Sequence, residues 1–319
     1  MKSKFFALLL MLLMLLLICP IASAQQRVAV FDYDDRLDAP DTVAKYVEEK
    51  LKKILGPELL VEQFSGQEDD KITRDTLKTL DKSKYDLIIT ITSDALIPAR
   101  HYIIQTPALF TNVNNPLFLG LNTLEASGGN MSGASYYVAV EKQLRFFQEL
   151  QPGINKLGFI FDNDAQSKRI EVAEIRRACK KLEIEYELEF VSEKDELPAV
   201  VTDLIKKEVD AIVVTSSGKI YNNVNLFLDL SMQSMTPVYS FHKSGVKNGA
   251  VAALASDYYV MIDKLIVPMA YKILQEGVPP GSMPVVFLDE PFIYLNMTQA
   301  DKLGISVRND IKNKAVKTY

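Results

Sequence analysis

Cysteine and histidine each occur only twice in the 319 residues of this chain, and that scarcity removes whole classes of chemistry. Neither His101 nor His242 has a second histidine or a cysteine at ligand spacing, which argues against a zinc site. No serine sits in a G-x-S-x-G elbow. The run "TSSGK" (215–219) resembles the end of a phosphate-binding loop, but Val213 stands where its first glycine belongs. No low-complexity segment interrupts the chain. These absences point away from an enzyme, and no cofactor is expected.

The longest apolar run lies at the start. Lys2 and Lys4 precede Phe5 to Ile18, followed by Pro20 and Ala22-Ser23-Ala24. A charged start, an apolar middle and an A-x-A site read as a secretory signal over residues 1–24, cleaved after Ala24. The run is shorter than the roughly 20 residues of a membrane span. Cys19 raises the question of a lipid anchor, but Ile18 before it is not the small residue that lipid attachment favours. Removing the leader with Lys2 and Lys4 leaves 34 basic against 41 acidic side chains, a net charge of −7. An acidic exported protein is a poor match for nucleic acid, which attracts basic surfaces. Only Cys179 then remains, so an internal disulfide is excluded. The remaining length suits two lobes better than one core.

Short runs rich in Val, Ile and Phe begin near "RVAVFDY" (27), "LLVEQF" (59), "DLIITIT" (86) and "PALFTNV" (107). A second series begins near "KLGFIFD" (156), "YELEFV" (186), "DAIVVTS" (210) and "PVYSFHK" (237). Little polar alternation interrupts them, as expected of strands covered on both faces of a parallel sheet. Helical periodicity lies between, with Val43, Val47, Leu51, Ile54 and Leu55 on one stripe and Val172, Ile175, Cys179 and Leu182 on another. Alternation of this kind predicts βαβ units. The Gly/Ser/Asn-rich segment between Val113 and Tyr137 reads as a crossing between lobes. Pro268 predicts a kink in the long helix of 257–277, and the basic tail 308–319 reads as a solvated end. Asn130-Met131-Ser132 and Asn296-Met297-Thr298 match glycosylation sequons, a pattern frequent by chance.

Open parallel sheets bind ligands at the carboxyl ends of their strands. The polar tips there are Tyr33 and Asp34, then Thr92, Ser93 and Asp94, then Asn112, Asn114 and Asn115. In the second half they are Asp162, Asn163 and Asp164, then Ser216 and Ser217, then Phe241 and His242. Asp257 follows the last strand-like run. Ser93 or Asp94 would also serve as a helix N-cap. A cleft between two lobes is the expected site.

Several stretches, in order, resemble the ABC-transporter substrate-binding family that includes the tryptophan- and tyrosine-binding lipoproteins. They are "YDLIITITSDA", "TPALFTNVNNP", "GGNMSGAS", "DAIVVTSS", "PVYSFHKSGVKNGA", "SDYY…AYKIL" and "IYLNMTQADKLGISV". The resemblance implies an α/β fold of the type 1 periplasmic binding protein: two doubly wound parallel-sheet lobes, a hinge and an interlobe cleft. Lobe 1 would hold residues 25–139 and 253–278, and lobe 2 residues 140–252 and 279–319. It implies a monomeric, exported, periplasmic protein that carries a small polar or aromatic molecule to an ABC permease and its ATPase. A ligand-sensing receptor for a membrane kinase or chemoreceptor is the alternative, and an exported enzyme using Asp162, Asp164 or His242 a third. By resemblance the Ser93 hydroxyl would face the cleft, Asn114 and Asn115 fall where Thr-Asp is usual, and Asp162 where Asn is usual. Ser217 and His242 stand where the family often has acids. A buried ammonium needs a carboxylate, so these departures favour a neutral polar or anionic ligand over an α-amino acid. Tyr33, Phe241 and Tyr258 are candidates to stack on a ring.

Overall fold

The computed structural model describes residues 25–33, 42–165 and 168–319. The expected leader with Cys19, and Asp34, lie outside them. In chain order the strands are β1 (Arg27–Asp32), β2 (Leu60–Ser65), β3 (Leu87–Ile91), β4 (Ala108–Val113), β5 (Met131–Ser135), β6 (Lys156–Asp162), β7 (Glu185–Val191), β8 (Ala211–Val214), β9 (Val238–Ser240), β10 (Ala252–Ala255), β11 (Val286–Phe287), β12 (Phe292–Leu295) and β13 (Ala315–Thr318). They form two sheets. The first runs β11-β5-β4-β3-β1-β2 with every pair parallel. The second runs β13-β12-β10-β9-β8-β6-β7, and only its β10–β12 pair is antiparallel.

The helices that matter for the site are α1 (Val43–Leu55), α2 (Asp70–Lys82), α3 (Ser93–Tyr102), α4 (Val140–Leu150) and α5 (Lys168–Leu182). On α1, Val47 and Leu51 are buried in the first lobe's core, whereas Ile54 is exposed at the edge of the expected stripe. On α5, Ile175 and Cys179 enter the second lobe's core, with Val172 and Leu182 packed against it. Burial pushes the Cys179 thiol up to about 12, so it behaves as a small apolar side chain.

The chain crosses between lobes three times: after β5, after β10 and after β11. Two of these differ from the expected boundaries. Ala253, Leu254 and Ala255 lie on β10 in the second sheet, and β11 belongs to the first sheet although it follows residue 279. The long helix after β10 packs on α1, and Val286 and Phe287 then pair with Ala134 and Ser135 before the final return. Where a kink is expected, residues Ile262–Ile266 form a π-turn in which the Val267 amide bonds to the Ile262 carbonyl. The wider turn absorbs the donor that Pro268 lacks. The tail is largely exposed, as expected, but it is not irregular. Residues Asn309–Lys314 are helical, and β13 pairs with β12 at the sheet edge, where its lysines suit an exposed strand.

The Gly/Ser-rich segment also hides a strand. β5 lies against β4 in a register that places Gly133 beside Phe110. A Cβ on Gly133 would sit 2.7 Å from the Phe110 amide nitrogen and closer still to its carbonyl oxygen. Small residues here are the condition for strand contact, and the same feature disguises the strand as a loop. Gly133→Ala is therefore expected to destabilise the protein by about 2 kcal/mol or more, as overpacking does. Denaturant unfolding would measure it, and an unchanged midpoint would contradict the close approach.

Candidate ligand cleft between the lobes

The tips of β3 and β4 on one lobe face the tip of β6 and the first turns of α5 on the other. The local backbone is unusual on the first side. Thr92 caps α3, its side chain accepting from the Ala95 amide at φ 85° and ψ 158°, a region that disfavours any residue with a Cβ. Asn112 is left-handed at φ 55°, which asparagine tolerates. The Ser93 hydroxyl accepts the Asn114 amide at 3.0 Å. Ser93 therefore braces the neighbouring strand tip and is not the cap; Thr92 is.

Each of the paired asparagines does two things. The Asn114 and Asn115 side-chain oxygens accept the Asn115 and Leu117 amides, at 2.8 and 3.2 Å, and so close the turn before and through Pro116. Their side-chain nitrogens point across the cleft, to Glu171 at 2.9 Å and Glu174 at 3.0 Å. The Tyr137 hydroxyl also donates to Glu174 at 2.7 Å. Ile170, one residue before Glu171, packs against the first lobe's cluster of Leu96, Phe110, Val113 and Leu119. The lobes are thus closed on one another through amide–carboxylate bonds and an apolar contact.

Between them lies a cavity of about 20 Å³, room for roughly one water. Among its walls are Asn114, Tyr136, Glu171, Ser216, His242 and Tyr258. The Tyr136 and Tyr258 ring centroids are 5.3 Å apart, and Tyr221 stacks on His242 at 4.1 Å. His242 Nδ1 accepts the Ser244 amide, which assigns the ring proton to Nε2. That nitrogen is buried without a partner among the described residues. Burial, with Lys243 adding, lowers the His242 pKa to about 3, so the ring is neutral and offers one N–H donor.

Glu171 is 5 % exposed, and no lysine or arginine among the described residues bonds to it. Burial pushes its carboxyl up to about 7, Ser216 opposing through hydroxyl and amide, Glu174 adding and Asn114 opposing. Burial likewise raises Glu174, with Tyr137 and Asn115 opposing. On the facing lobe, Asp94 is the second residue of α3, and its Oδ1 is buried with no partner among the described residues. Burial raises it to about 6, with Asp70, Asp162 and Glu68 adding.

The residues singled out in the sequence divide by position. Asn114, Ser216, Phe241 and His242 line the cavity. Asn115 reaches it through Glu174. Ser93 and Asn112 are buried behind the strand tips. Asp162 accepts from Ser217 at 2.8 Å and pairs with Lys219 at 2.9 Å. Asp257 caps the following helix and, against the cost of burial, is held below its ordinary pKa by Lys243 at 2.6 Å. Ser93, Asn112, Asp162, Ser217 and Asp257 do not line the cavity, and nor do Asn163 and Tyr33. Asn163 is exposed and bonds Ser192, and the Tyr33 hydroxyl donates to Glu68 and Asp70. Sequence reasoning missed Glu171, Glu174, Tyr136 and Tyr137. The signal for the acids was their i, i+3 spacing on the first turns of a helix that follows a strand tip.

The charge state of Glu171 makes a pH prediction. Its folded value lies above its unfolded one, so its penalty is absent below about 4.5, grows with pH and is complete above about 7. Asp94 acts in the same direction, and His242, with a lowered value, in the opposite one. Taking Glu171→Gln minus wild type isolates the carboxyl. The difference in stability is expected to be small at pH 4.5 and to rise in favour of the variant to about 3 kcal/mol above pH 7. Thermal unfolding across that range measures it, and a pH-independent difference would refute the buried ionisation.

Comparison with known proteins bears on the fold and the family. A tyrosine-binding protein of Clostridioides difficile is 26% identical over 242 residues, covering 76% of this chain and 69% of that protein. Among solved structures, a conserved domain protein of Vibrio cholerae superposes with a TM-score of 0.79 at 20% identity, over 92% of this chain and 100% of that one. An ABC domain of Streptococcus pneumonia in complex with L-Trp gives 0.78 at 18% identity, over 93% and 100%. At these identities the structures establish the shared fold, that of type 1 periplasmic binding proteins. No helix among the described residues is long and apolar enough to cross a membrane. The family is settled by the sequence itself: residues 38–319 match the ABC transporter substrate binding proteins, and the chain belongs to that family.

Proposed function

We propose that this protein is the exported capture component of an ABC importer, that it closes on a small molecule of amino-acid type, and that it delivers this ligand to a membrane permease driven by an ATPase. The observation that carries the reading is Glu171, a carboxylate sealed between the lobes with only neutral donors around it. A ligand ammonium supplies the missing cation, and the His242 Nε2 proton supplies a donor for a carboxylate or other acceptor on the same molecule. Tyr136 and Tyr258 give a cation or a ring an aromatic wall. The sequence-level preference for a neutral or anionic ligand rested on acids missing at 115, 217 and 242. The acids enter instead from α5. The relatives named for tyrosine and bound to L-Trp support an amino-acid class.

With about 20 Å³ in the cavity beside Glu171, no amino acid reaches that carboxylate in the closed form, so capture there requires the lobes to part. The bonds from Asn114, Asn115 and Tyr137 to the two glutamates then break, and the ligand replaces them on closure. Export through the leader, with cleavage at Ala24 rather than lipidation at Cys19, places the protein in the periplasm.

A thermal-shift screen of the purified protein against free amino acids and their N-acetyl derivatives tests the ligand class. Binding at a hundredfold excess over Kd adds about 2.7 kcal/mol of stability, so a true ligand moves the midpoint by several degrees. The free amines are expected to stabilise the protein, the N-acetyl forms to fail, and Glu171→Gln to lose tenfold or more in affinity, as expected for a charge-assisted bond. Equal responses to amines and N-acetyl derivatives would sink the reading.

A further inference from the structure

The cavity between the lobes is walled by two glutamates and, among the described residues, by no lysine or arginine. Glu174 is served by Asn115 and Tyr137, and Glu171 by Asn114. Of the described side chains that hold a buried polar atom without a hydrogen-bond partner, only Gln143 and His242 line this cavity. The His242 atom is Nε2, a donor. The Gln143 atom is Oε1, an acceptor, on a residue that is 5 % exposed.

Gln143 breaks the pattern of its own helix. On α4, Val140, Leu144 and Phe147 enter the second lobe's core, and position 143 falls on the same helical face. The orientation of its amide is fixed, because Nε2 donates to the Val138 carbonyl at 2.9 Å, in the crossover from β5. That bond makes Gln143 a strut at the hinge and accounts for its nitrogen only. The oxygen is left unpaired, and an unpaired buried acceptor is costly. An apolar side chain of the same length would fill the space without that cost. Helix α4 packs on α5, so Gln143 and Glu171 line the cavity from neighbouring helices.

We propose that Gln143 is a ligand-binding residue, its side-chain oxygen and the Glu171 carboxylate accepting two N–H bonds from one ligand ammonium. This rests on the reading of the cleft as an ammonium-binding site and specifies which cations that site takes. A primary ammonium has three N–H donors and satisfies both acceptors. A tertiary ammonium has one and a quaternary ammonium none, so neither can serve Glu171 and Gln143 together. The Tyr136 and Tyr258 rings attract any of these cations, so the rings do not discriminate among them and Gln143 does. His242, the orphaned donor, takes an acceptor on the same molecule.

Calorimetric titration of the purified protein with the twenty standard L-amino acids, then with the N,N-dimethyl form of the tightest binder, tests the proposal. The free amine is expected to bind about tenfold or more tighter than the dimethyl form, which keeps the positive charge. Gln143→Met keeps the length of the side chain and removes its oxygen. In that variant the free amine should weaken about tenfold while the dimethyl form hardly changes. Gln143→Leu serves as the second variant should methionine disturb the fold, and the wild-type comparison stands without either. Equal losses for both amines in the variant reduce Gln143 to a hinge strut and overturn the proposal. An unchanged free amine in the variant overturns it too, the oxygen then being served by water alone. So does a dimethyl form that binds the wild type as tightly as the free amine. Each of these three results leaves the ammonium site standing, whereas failure of every free amine overturns both.

Discussion

A carboxylate removed from water without a cation sets the terms on which these lobes meet. Glu171 is held by an amide and a hydroxyl, donors that satisfy its oxygens but do not neutralise its charge. Such bonds contribute about 1.5–3 kcal/mol each when charge-assisted, against a desolvation cost of several kcal/mol for a bare ion. The closed arrangement is therefore held by groups that a cationic molecule improves on. Closure and ligand binding share one set of atoms, and the energy of the second is available to drive the first.

The strand tips deliver this arrangement because each is constrained from behind. Thr92 sits in backbone space that disfavours a side chain, and Asn112 is left-handed just before the paired asparagines. Strain of this kind persists only where the surroundings over-determine it. Ser93 locks the Asn114 amide, and Ser135 donates to the Val113 and Asn114 carbonyls at 2.9 Å each. With the backbone fixed twice over, the two asparagine side chains have little freedom left except to point at α5.

Much of the fold was legible in the sequence. Eight strand runs, the helical stripes and the parallel α/β class follow from periodicity, because strands covered on both faces leave a plain apolar signature. β5 was not legible, since the glycine that lets it approach Phe110 also erases that signature. Nor was the place of β11 in the first sheet, since it depends on the path of the helix before it. The site was half legible. Asn114, Ser216 and His242 lie at strand tips, where topology directs attention. Glu171 and Glu174 lie on a helix whose apolar stripe reads as an ordinary amphipathic pattern with a solvated acidic face. Whether such a face meets water or another lobe depends on packing across a hinge, which no local pattern encodes.

That distinction changes the chemistry assigned to the cleft. Acids at three strand-tip positions are absent, and tip residues alone describe a neutral pocket of hydroxyls, amides and one imidazole. Moving the carboxylates from the tips to the first turns of α5 keeps an anion in the cleft while changing its direction of approach. A ligand ammonium would then point toward the helix, with its remaining groups between Tyr136, Tyr258 and the His242 proton.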